Sequence, residues 1–115
     1  MRKLFKCFIG TLLLIISSYS IANEGWNGPY AIDRIVVTAQ GWVNVRFIDS
    51  TLSGCKPQSG YPGNYATLSK EHKGFQALNA LLLSAYVSGK PVQVWLSDDT
   101  CTIGEAVIGG SYSAR

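Results

Sequence analysis

The sequence predicts a mainly β domain with one helix, an α+β fold of element order β-β-β-α-β-β. Three observations carry this: three short β-branched or alternating runs, one stretch of helical periodicity after them, and two further strand-like runs beyond it. In a chain of 115 residues that order predicts an OB-like five-stranded barrel.

The elements are sought from residue 23 onward, because residues 1–22 read as a secretory signal peptide. Arg2, Lys3 and Lys6 give a positive start, and Phe8, Ile9, Leu12, Leu13, Leu14, Ile15 and Ile16 give an apolar run. Ser20 and Ala22 place small residues where a signal peptidase inspects them, so cleavage is expected before Asn23. The apolar run is shorter than the roughly 20 residues a spanning helix needs, so no membrane span is expected. The implied location is secreted or periplasmic.

Residues 23–115 are expected to form a single OB-like domain. They hold seven basic and seven acidic residues, so the formal charge of +3 resides in the signal. A neutral surface offers no electrostatic footprint for nucleic acid. Cys55 and Cys101 remain after cleavage, and an even pair in a short exported chain implies a disulfide. With His72 as the sole histidine there are too few ligands for a closed zinc site, and no metal or cofactor is expected.

Within residues 30–38, Ile32 and Val36 alternate with Asp33, Ile35 and Val37, a run apolar on both faces that predicts a strand buried over most of its length. Ala39, Gln40 and Gly41 supply a turn. Residues 42–48 then alternate, with Val43, Val45 and Phe47 on one face and Trp42, Asn44, Arg46 and Ile48 on the other. Residues 49–64 are rich in Gly, Pro and Ser and read as a long loop, and residues 65–68 as a third strand. Ser69 is the expected helix N-cap, with Glu71 in the first turn and Gly89 just past the end at Ser88. Phe75, Leu78, Leu81, Leu82, Ala85 and Tyr86 form the core-facing stripe. The opposite side, with Ala77, Ala80, Leu83 and Val87, is also apolar, which marks Ala80, Leu83 and Val87 as a candidate contact with another chain. Pro91 opens a fourth strand over residues 92–96, and residues 105–112 make a fifth, bent at Gly109 and Gly110.

Three stretches carry a resemblance to a known family: Ala31-Ile32-Asp33-Arg34-Ile35-Val36-Val37-Thr38; the run from Gly74 through Ala85-Tyr86-Val87-Ser88-Gly89-Lys90-Pro91-Val92-Gln93-Val94; and Cys101. Together they resemble the small secreted B subunits of subtilase-cytotoxin and pertussis-like toxins, or a related family of small periplasmic proteins. The resemblance implies an OB-fold, a homopentameric ring with the helix lining its pore, an exported enzymatic A subunit as partner, and a sialylated glycan ligand. One position departs from it. The family's glycan-binding members carry a serine where this chain has Asp33, and a carboxylate there would repel an anionic sugar, while it suits neutral hydroxyl donors.

The candidate ligand site is Trp26, Asn27, Tyr30 and Asp33, where an aromatic face, an amide and a carboxylate together suit a sugar ring. No enzyme is expected. His72 has no nucleophile at a motif spacing, Asp98 and Asp99 are adjacent and would point apart, and no Gly-rich phosphate loop follows a strand. The expected function is a non-catalytic, glycan- or protein-binding module that self-associates. The alternative is a stand-alone periplasmic protein with a structural or inhibitory role, binding another exported protein.

Overall fold

The computed structural model describes residues 23–110; the expected signal peptide and the end of the expected last strand at Tyr112 lie outside the described residues. Six strands and one helix follow in the order β1 (Gly25–Tyr30), β2 (Ile32–Val37), β3 (Val43–Phe47), β4 (Tyr65–Leu68), α1 (Phe75–Ser88), β5 (Val92–Leu96) and β6 (Ile103–Ile108). They form two antiparallel three-stranded sheets, β1-β5-β6 and β2-β3-β4.

The α+β class stands, but the five-stranded OB-like barrel and its β-β-β-α-β-β order do not. The additional strand is β1, drawn from a segment whose Gly28 and Pro29 signal irregularity. Its ladder to β5 pairs Trp26 with Trp95 and Asn27 with Val94, shifts register across Gly28 and Pro29, and resumes at Tyr30 with Val92. An edge strand tolerates a proline at such a shift. Gly28 is required there: its φ is +102°, and a Cβ would stand 2.9 Å from the Val92 carbonyl oxygen. The two sheets do not close on each other. Between β4 and β6 the ladder is one parallel bridge, Thr67 to Thr102.

The strand faces follow the two-residue alternation. Val43, Val45 and Phe47 turn inward with Ala66 and Leu68, while Val92, Val94, Leu96 and Ile103 do so from the other sheet. Leu82 and Ala85 of α1 are buried in the same core, with Phe75, Leu78 and Leu81 packed partly against it. Burying a leucine such as Leu68, Leu82 or Leu96 contributes about 1.5–3 kcal/mol each over leaving it in water.

Three local expectations shift. Strand β2 is an edge strand with Asp33, Arg34 and Val37 exposed, rather than buried over most of its length. The helix starts later than Ser69. That hydroxyl instead accepts from the Glu71 N–H within a turn, and Gly74 takes the N-cap position with no side-chain cap. Gly89 ends the helix in the left-handed conformation, as the sequence indicates. Tyr86, placed in the core stripe by spacing, is exposed one step round from Ala85. The last strand begins at Ile103, and its register shift falls at Gly104 rather than at Gly109 and Gly110.

The disulfide forms between Cys55 and Cys101, with Cα atoms 5.6 Å apart. It ties the long loop to the turn between β5 and β6. In that turn the Asp98 carboxylate accepts from the N–H and hydroxyl of Thr100, and the Asp99 carbonyl accepts from the Lys56 N–H. Asp98 and Asp99 are thereby engaged in holding the turn.

Candidate functional site

The four residues proposed as one ligand site are divided between two sheets. Asn27 turns its amide back, donating to the carbonyls of Asn23 at 2.7 Å and Gly25 at 3.1 Å, and so fastens the start of the described chain. Tyr30 packs on Phe47, ring centroids 6.0 Å apart, and its hydroxyl lies 3.4 Å from the Thr51 hydroxyl. These two side chains serve the fold. Trp26 and Asp33 remain at the surface, on different sheets.

Asp33 lies in the β2-β3-β4 sheet at a register shift between Ile32 and Arg34. Its carboxylate accepts from Arg46 Nε at 2.6 Å and pairs with Nη2 at 2.5 Å. The shift matters because Arg34 and Arg46 are direct cross-strand partners, and like charges in that relation destabilise. Arg46 also lies over the Tyr65 ring at 5.9 Å, and Tyr61 meets Tyr65 edge-on at 5.3 Å. The carboxylate expected to repel an anion is therefore largely neutralised by its neighbour.

Beside this cluster the same outer face is covered. Asn44 is fully buried, its Oδ1 accepting from the hydroxyls of Ser59 at 2.6 Å and Thr67 at 3.1 Å. Ser59 belongs to the long loop, so this bond closes the loop over the sheet. The sequence placed Asn44 on the half-exposed face. The loop that hides it is a long-range feature that periodicity does not register.

The outer face of β1-β5-β6 carries Gln93, which is buried with its amide donating to the Gly28 carbonyl. Trp26 stands directly opposite Trp95, and Trp95 directly opposite Glu105, so the three form one row across the sheet. Directly opposed residues in antiparallel pairs share a face. Because Val94 and Leu96 on either side of Trp95 are buried, the row faces away from the core. Both indoles are half-buried and Glu105 is exposed. Trp95 leans over Gly104, where a Cβ would come within 2.9 Å of its ring. The Gly104 carbonyl accepts from His72 Nε2 at 2.9 Å, while His72 Nδ1 accepts from the Gly74 N–H, which fixes the neutral Nε2–H tautomer. His72 thus joins the start of α1 to β6.

The outer side of α1 is an open surface. Leu83 is 49% exposed and Val87 79% exposed, with Ala80 exposed beside them; together with Ser84 and Ser88 these line a shallow apolar depression. No part of the described chain covers it.

Among the described residues no group of three or more potential ligand side chains could hold a metal ion, and no helix is long and apolar enough to cross a membrane. No protein-family model, no curated protein and no solved structure matches the chain, so the toxin-subunit resemblance rests on the three sequence stretches that carry it.

Proposed function

We propose that this chain is an exported, non-catalytic binding module that assembles with copies of itself. The observation that carries the reading is the outer side of α1, where Ala80, Leu83 and Val87 are solvent-exposed on a helix with no charged side chain. A helix of this kind normally turns charged residues to water, and an uncovered apolar face marks a contact with another chain. Strand edges favour the same outcome. Among the described residues, β2 has no ladder on the side away from β3, and β6 has none on the side away from β5 beyond the bridge at Thr102. Such edges are open to pairing with a second chain.

An interface that joins one edge of a copy to a different edge of the next is head-to-tail, and a head-to-tail contact that closes gives a ring. The pentameric ring implied by the toxin resemblance is one such closure, and an exported enzymatic partner seated on it belongs to the same proposal. Light scattering on residues 23–115 at micromolar concentration tests the reading. A mass several times that of one chain supports it. The mass of a single chain overturns it and favours the alternative, a stand-alone exported protein that uses the helix face for another partner.

A further inference from the structure

We propose that Arg34 on the edge strand β2 pairs with Glu105 on the edge strand β6 of a second copy, and that this charge pair selects a head-to-tail contact over a two-fold one. It rests on the self-association reading and deepens it, naming the two edges that meet and the side chains that choose them.

The charged residues on the described strands are Asp33 and Arg34 of β2, Arg46 of β3 and Glu105 of β6. Asp33 and Arg46 satisfy each other. One cation and one anion are left over, both exposed, and neither Arg34 nor Glu105 has a hydrogen-bonding or ionic partner among the described residues. Arg34 also stands directly opposite Arg46, a like-charge relation that destabilises a sheet and that an anion from another chain would relieve.

Both charges sit where a second chain can reach them. Arg46 lies between the buried Val45 and Phe47, so Arg34 opposite it shares the outer face of β2-β3-β4. Glu105 lies opposite Trp95, between the buried Val94 and Leu96, and so shares the outer face of β1-β5-β6. A sheet continued from β2 of one copy into β6 of the next, with both cores on one side, brings the two charges to a single face, where unlike cross-strand pairs attract. The same placement discriminates between assemblies. Joining β2 to β2 sets Arg34 against its own copy, joining β6 to β6 sets Glu105 against its own, and like charges across an interface cost affinity. Only the unlike edges attract. A contact between unlike edges leaves one of each kind free at the ends of the assembly, so it repeats until it closes.

Sedimentation velocity over a concentration series of residues 23–115 is the test. Arg34→Glu and Glu105→Arg, each alone, should weaken assembly by about tenfold or more, because attraction becomes repulsion at every contact. The double variant, Arg34→Glu with Glu105→Arg, restores an unlike pair with its signs exchanged and should recover assembly to within about threefold of wild type. Both positions are exposed, and circular dichroism checks that the fold is retained. Should a reversal fail to fold, Arg34→Gln and Glu105→Gln decide: wild-type assembly should weaken with added salt, which screens exposed ion pairs, and either neutral variant should lose most of that dependence. Single reversals without effect, a double variant no better than the singles, or a salt-insensitive wild type would overturn the pairing, while an assembled wild type would keep the self-association reading. A wild type that stays a single chain at every concentration would overturn both.

Discussion

The outer face of the β2-β3-β4 sheet and the outer side of α1 have opposite fates. On β2-β3-β4, the polar positions are satisfied internally: Asn44 bonds Ser59 and Thr67, and Asp33 bonds Arg46. The loop that supplies Ser59 lies over this face and is fastened by Cys55. On the outer side of α1, by contrast, Ala80, Leu83 and Val87 are exposed and no described residue covers them. One region is closed by its own chain, while the other presents apolar surface that no described residue covers. A protein that works by contact needs the second kind of surface, and the first holds the small domain together.

The disulfide gives the largest way to break this contrast. Replacing Cys55 and Cys101 with serine releases a loop closed over a sequence separation of 46. The chain-entropy relation puts the loss of stability at about 4 kcal/mol, measurable by denaturant unfolding. A double variant within about 1 kcal/mol of wild type would show that the loop is held by its hydrogen bonds instead. Asn44→Ala should cost less, about 2 kcal/mol, because it leaves the Ser59 and Thr67 hydroxyls without their acceptor beneath the loop. Amide hydrogen exchange should rise in residues 57–64 in this variant and stay unchanged in β1 and β5. A uniform rise would mean that the two sheets are not independent.

Much of this contrast was hidden from the sequence, for a physical reason. Alternation and helical spacing found β3, β4, β5, the body of α1, its end at Gly89 and the disulfide, because each depends on local pattern or on the count of cysteines. Strand β1 is not legible locally, because Gly28 and Pro29 oppose a strand and only pairing with the distant β5 overrides them. The helix start was misplaced because Ser69 does make a turn-type bond to the Glu71 N–H, the signature of a cap, five residues before the helical N-cap. Of the candidate site, Trp26 and Asp33 were recognised as surface chemistry. That Trp26 would stand opposite Trp95, and Asp33 would meet Arg46, depends on long-range register that only the folded chain defines.

The smallest effect on stability belongs to the most direct test of function. Leu83 is half-exposed on α1, so Leu83→Glu should change the folded chain's stability by no more than about 0.5 kcal/mol, as for other surface substitutions. The account assigns this face to contact between copies, and a buried unpaired carboxylate there would be costly. Light scattering on Leu83→Glu beside wild type is the measurement: the account predicts that the assembled mass falls to that of one chain while the circular dichroism spectrum is retained, and an unchanged assembled mass would contradict it.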